Sequence, residues 1–157
     1  MNRLSAIVFA LLIAPPVFAC DIVKLGDIEV DHAWARASLG AGRPGVVYLT
    51  IRNTGPLDDV LTALTTPVAD MPMLHETVIT DGVAAMPHVM SVPVPAGETV
   101  ALAPGGLHGM LMGLTAALDE GGTFPLTLSF QNAGQMVVTV EVLGMGASGP
   151  DCGHAQP

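Results

Sequence analysis

The sequence predicts an all-β protein built as a single Greek-key β-sandwich, and three observations carry that expectation. Apolar and polar residues alternate with period two in short runs, turn clusters separate those runs, and no stretch keeps the spacing of a long amphipathic helix. Thirteen prolines and 18 glycines are spread along the 157 residues, as many short strands and turns require.

Taken in order, Ile28–Val30 and Ala33–Ala37 read as the first strands. In Gly45–Asn53, Val46, Tyr48 and Thr50 alternate with Val47, Leu49 and Ile51, and Asn53-Thr54-Gly55-Pro56 ends the run. Val60–Leu64, Leu74–Ile79 and Val100–Leu102 are further candidates. Leu126, Leu128 and Phe130 alternate with Thr127 and Ser129; Gln131-Asn132-Ala133-Gly134 then reads as a hairpin turn into Met136–Leu143, where Val138, Val140 and Val142 share a face. The acids Asp58-Asp59 and Asp119-Glu120 fall in turn-like contexts and are expected to be solvated. Residues 20–147 are therefore expected to form one domain, and 148–157 a tail.

Residues 1–19 read as an export signal. Arg3 supplies the positive end, Leu4 to Ala14 the apolar run, and Val17-Phe18-Ala19 a peptidase site. The run is too short, and too interrupted by Pro15 and Pro16, for a spanning helix of about 20 residues. Without it the chain carries 4 basic and 14 acidic side chains, and its aromatics are Trp34, Tyr48, Phe124 and Phe130. Nucleic acid is excluded as a partner, because neutralising phosphates needs clustered Lys and Arg. Cys20 and Cys152, at the two ends of the mature chain, invite a disulfide in an oxidising compartment, worth roughly 4–5 kcal/mol by chain entropy. Alternatively Val17-Phe18-Ala19-Cys20 is a lipobox and Cys20 an acylated membrane anchor.

No GxSxG elbow, HExxH, P-loop or dinucleotide fingerprint is present. Methionine is the unusual feature. Six of the eight methionines beyond the signal lie between Met71 and Met112, a window of 42 residues. With three histidines they form triplets at spacing two: Met71, Met73, His75; Met86, His88, Met90; His108, Met110, Met112. Residues two apart in an extended chain point to one face, so each triplet presents sulfur and imidazole together. Thioethers are neutral and select Cu(I), with imidazole an acceptable partner. Zinc prefers thiolates, carboxylates or more histidines, calcium and magnesium need clustered oxygens, and a blue-copper site needs a cysteine thiolate. A single methionine is more often core packing than a ligand; the coincidence of three triplets points to a site, and Pro72 and Pro87 mark two of the segments as edge or loop. His32 and Trp34 are expected to be structural.

The spacing resembles that of the periplasmic copper chaperones called PCu(A)C, whose motif is His, ten residues, Met, twenty-one residues, then His-x-Met. Here His75 is followed by ten residues and Met86, then by twenty-one and His108-Gly109-Met110. Ala33-Trp34-Ala35-Arg36-Ala37, Val47-Tyr48-Leu49-Thr50-Ile51, Leu74-His75-Glu76-Thr77, Pro95-Ala96-Gly97 and Pro104-Gly105-Gly106-Leu107-His108 also resemble the family, and the likeness spans about residues 24–143. It implies a cupredoxin-like β-sandwich, a non-enzymatic role, a periplasmic location, and one Cu(I) held by His75, Met86, His108 and Met110. It further implies delivery to an acceptor such as the CuA centre in cytochrome c oxidase subunit II. Many members carry Met immediately before the first His, where this chain has Leu74, with Met73 one place further. His88, Met90 and Met112 lie outside the motif and are expected to support or pack; Cys152 and His154 in the tail could add donors. Sequestration of copper, a copper redox enzyme and a metal-free interaction module are the competing readings.

Overall fold

The computed structural model describes residues 22–150. The export signal, Cys20, Cys152 and His154 lie outside them, so neither the disulfide nor the lipidation reading is addressed by the fold. Thirteen strands follow one another: β1 Val23–Leu25, β2 Ile28–Arg36, β3 Gly45–Asn53, β4 Asp59–Thr65, β5 Ala69–Glu76, β6 Val78–Thr80, β7 Val83–Ala85, β8 His88–Val89, β9 Val92–Val94, β10 Thr99–Leu102, β11 Leu107–Leu114, β12 Thr123–Phe130 and β13 Gln135–Leu143. Among the described residues there is no helix. The expected all-β, cupredoxin-like fold is the one present.

Eleven strands make one sheet in the order β8-β5-β11-β3-β2-β13-β12-β4-β9, with β1 added to β2 and β10 to β3. The sheet wraps on itself into a nearly closed structure. Its inward residues form one aliphatic core: Val47, Leu49 and Ile51 of β3 and Leu111 of β11 join Leu61 of β4, Leu126 and Leu128 of β12, and Val138 and Val140 of β13. All β-pairings are antiparallel except β13 with β2, which runs parallel and brings the last strand beside an early one. That crossing is what period-two patterning cannot reveal, because it specifies a face and not a neighbour.

Strand β3 appears with the bounds read from sequence, and the β12–β13 turn closes as expected, the Phe130 amide donating to the Gly134 carbonyl at 2.7 Å. Two expectations change. Ile28–Val30 and Ala33–Ala37 are one strand, with a register shift between Asp31 and Trp34 where His32 takes a positive φ of 52°; a bulge keeps both halves paired. Leu74–Ile79 is instead two elements. β5 ends at Glu76, and β6 pairs with β7 in a separate hairpin whose Asp81-Gly82 turn has φ values of 53° and 79°, the left-handed pair of a tight hairpin turn.

Asp59 also departs from its expected place in solvent. It is buried, and its carboxylate accepts from the Val60 amide at 2.7 Å, the Asn132 amide at 2.9 Å and the Ala133 amide at 2.8 Å. It thereby ties the start of β4 to the β12–β13 turn. Asp58, Asp119 and Glu120 are exposed. At the other end, Trp34 and Tyr48 pack with centroids 4.5 Å apart, and Arg36 lies over both rings while its Nε donates to the Ala147 carbonyl at 2.9 Å. That contact anchors the chain close to where the tail was expected to begin.

Candidate metal centre

The three triplets meet on neighbouring strands. Strand β11 lies between β3 and β5, and β5 between β11 and β8. The β5–β11 register sets His75 opposite His108, Met73 opposite Met110 and Met71 opposite Met112. The β5–β8 register sets His75 opposite His88 as well. Leu74 and Leu111 point into the core, so alternation puts the His and Met side chains on the outward face. This settles the residue before the first histidine: Leu74 is a core side chain and Met73 shares the face of His75.

Glycine between His108 and Met110 has a steric reason. A Cβ at Gly109 would stand 2.5 Å from Val47 Cγ1 and 2.8 Å from Leu64 Cδ1, so β11 can press onto β3 and β4 only without a side chain there. Prolines sit where the sheet allows them: Pro72 pairs with Leu111 on the β11 side, and β8, which pairs only at Leu74 and His75, does not reach it. A residue without an amide proton suits that open side. The Pro104-Gly105-Gly106 turn stands where the edge of β3 changes partner from β10 to β11, and it delivers His108 directly opposite His75.

Backbone carbonyls set the chemistry of both imidazoles. His75 Nδ1 lies 2.9 Å from the Met86 carbonyl and His108 Nδ1 lies 3.0 Å from the Gly106 carbonyl. A carbonyl oxygen can only accept, so each Nδ1 carries the proton and donates it, leaving the lone pair on Nε2. This is the arrangement in which a ligating histidine is fixed by its other nitrogen. The Nε2 of His75 is buried without any hydrogen-bond partner. An unpaired acceptor in that position is costly, and a Lewis acid would satisfy it. The His75 and His108 rings are 5.9 Å apart and inclined by 26°, within the roughly 5–6 Å that two imidazoles on one ion require when each metal–nitrogen bond is about 2.0 Å.

Of the four residues expected as ligands, His75 and His108 face each other, and Met110 lies two places along β11 on the same face. Met86 is brought in from the end of the β6–β7 hairpin: its carbonyl holds His75, and the Pro87 carbonyl accepts from the Glu76 amide at 3.2 Å. The ten residues between His75 and Met86 are thus the length of a hairpin that returns to its origin. Exposure is uneven, with His108 only 4% exposed and Met86 53%. Among the described residues no three His, Cys, Asp or Glu side chains are placed to hold a metal ion. His32 pairs with Asp31 at 3.0 Å on β2. Of the residues expected to support or pack, Met90 is 81% exposed. The orienting carbonyls of Met86 and Gly106 were invisible in sequence because they belong to the backbone.

Residues 28–142 match the family "LpqE-like". The chain belongs to that family, with the fold of PCuAC domains. A relative, the protein named "Putative lipoprotein Lxx21020" from Leifsonia xyli subsp. xyli (strain CTCB07), is 37% identical over 116 residues, which is 73% of this chain and 69% of the relative. The copper-bound PCuAC domain from PmoF2 superposes with a TM-score of 0.68, covering 79% of this chain and 98% of that domain; at 22% identity it speaks for the fold. The solution structure of CuI-DR1885 from Deinococcus radiodurans is 31% identical, with a TM-score of 0.56, 71% of this chain and 76% of that one being covered.

Proposed function

We propose that this LpqE-like chain is an exported copper(I) chaperone, with His75 and His108 binding through Nε2 and Met86 and Met110 through sulfur. The observation that carries this reading is the orphaned, buried Nε2 of His75 opposite a second imidazole held in the same tautomer. The copper-bound structures of similar domains support it. Four neutral donors leave Cu(I) its single charge and favour it over harder ions. The carbonyl contacts at Nδ1 leave Nε2 as the nitrogen each imidazole offers to the ion.

Cargo enters and leaves on the side of Met86, the exposed ligand. An acceptor replaces that thioether first, while His108 stays covered. Ligand exchange of this kind moves Cu(I) without redox chemistry, so the chain is a carrier and not a catalyst. We take the CuA centre of cytochrome c oxidase subunit II as the acceptor. Anaerobic Cu(I) titration against a competing chromophoric chelator is expected to give tight binding, with X-ray absorption reporting two sulfur and two nitrogen neighbours. The loaded chain is expected to metallate the apo soluble domain of subunit II. A shell of oxygen and nitrogen alone would overturn the site, and retention of copper in the presence of that domain would favour sequestration.

The lipoprotein name of the relative supports export and attachment to the membrane through an acylated Cys20. Intact mass of the chain isolated from membranes is expected to include a diacylglycerol adduct; a mass reduced only by the two protons of a Cys20–Cys152 bridge would overturn the anchor.

A further inference from the structure

The motif uses one side of His75, and the register places a second set of soft donors on the other. His75 faces His108 on β11 and His88 on β8, so three imidazoles lie in one row across three strands. The His75 and His88 centroids are 5.7 Å apart, the rings inclined by 67°. Met110 and Met73 begin the next row. The β5–β8 ladder ends at Leu74 and Val89, and Met73 and Met90 together line the cavity just beyond it. Two adjoining cells result, each with two imidazoles and two thioethers at its corners and with His75 and Met73 on the shared edge. Directly opposed residues have Cβ atoms about 4.5–5.5 Å apart, close enough for long side chains to share an ion.

A cavity of about 100 Å³ lies at this edge, lined by Met73, His88 and Met90 on one side and by Thr62 and Leu64 of β4 on the other. No charged side chain lines it. Its soft donors are thioether and imidazole, the set that selects a soft monovalent ion, and the Thr62 hydroxyl is engaged with the Ser129 carbonyl. Packing does not account for His88 and Met90, which are both exposed.

We infer that Met73, His88 and Met90 form a second Cu(I) position beside the first. The inference rests on the proposed function, which it deepens by giving the copper a route outward. His108 is 4% exposed, whereas Met86 is 53% and Met90 81% exposed, so the edge position, like Met86, is within reach of an acceptor. Copper crosses between the two by exchanging ligands around His75, remaining Cu(I) throughout.

The test is anaerobic Cu(I) titration of the mature chain, with ascorbate as reductant and a bathocuproine chelator as competitor, together with NMR of labelled methionine methyl groups. The wild type is expected to bind two equivalents, the second shifting the Met73 and Met90 methyls. His88→Ala with Met90→Ala is expected to lose the second equivalent and keep the first. Met86→Ala with Met110→Ala is expected to lose the first and keep the weaker one. A wild type that binds one equivalent, or an edge variant that still binds two, overturns this inference and leaves the proposed function standing. Full retention of the tighter equivalent in the Met86 and Met110 variant overturns the proposed function instead. Should either variant not fold, the wild-type methyl shifts decide: movement at Met73 and Met90 supports the edge position, and a second equivalent that leaves them still refutes it.

Discussion

Cu(I) affinity is expected to fall roughly 10²–10⁴-fold when Met86 and Met110 are both replaced by alanine, while the fold is retained. Loss of a supporting contact outside a metal's shell already costs about 10–100-fold, so losing two ligands costs at least that much twice. Met86 is 53% exposed and Met110 half-buried on the outward face, so neither truncation opens a cavity in the core. Chelator competition measures the affinity, and circular dichroism of the same samples reports the fold. An affinity within tenfold of the wild type would mean that the thioethers are not ligands, and the imidazole pair would then need another explanation for its orphaned nitrogen. The two single variants are expected to differ. Met86→Ala removes the exposed ligand and should speed copper loss, whereas Met110→Ala leaves the exchange surface intact and should act mainly on affinity.

Asp59→Ala is expected to destabilise the fold by about 3 kcal/mol at pH 7, because three backbone amides lose their acceptor and each unmade hydrogen bond costs about 1 kcal/mol or more. The effect depends on pH with a defined sign. Burial pushes the Asp59 carboxyl up, but the amides of Asn132, Val60, Ala133 and Gln131 together outweigh burial and hold it below its ordinary value. A carboxyl lowered in the folded state stabilises the protein fully above its unfolded value of about 3.9, and that contribution is lost as pH falls through the lower folded value. Urea unfolding of wild type and Asp59→Ala should therefore differ most near neutrality, and the gap should narrow below about pH 4. A gap under 1 kcal/mol at pH 7, or one that persists unchanged at pH 2, would show that the amides find other partners.

These two results would probe different parts of what the sequence encodes. The four motif residues were singled out by a family resemblance, and their spacing is the spacing of a hairpin and a strand return. His75 and Met86 bracket β6 and β7, and His108 and Met110 differ by the two residues of a pleat. The faces were legible too, since the triplets alternate with Leu74, Gly109 and Leu111. Asp59 was misread because its partners, Asn132 and Ala133, lie more than seventy residues away. Local composition resembles a solvated turn, and only long-range pairing buries it. The place of His88 was hidden for a related reason: a two-residue strand beside Pro87 carries too little pattern to announce that it pairs with β5.

By itself the sequence determined the all-β class, the strongest strands and the soft-donor chemistry, because period two and side-chain type are local properties. Only the tertiary structure decided that β5 stands between β11 and β8, that the Met86 and Gly106 carbonyls fix the tautomers, and that His75 is the shared corner of two cells. Strand neighbours and hydrogen-bond partners are chosen across the whole chain, where burial of one core selects a single register, and no window of residues contains that choice.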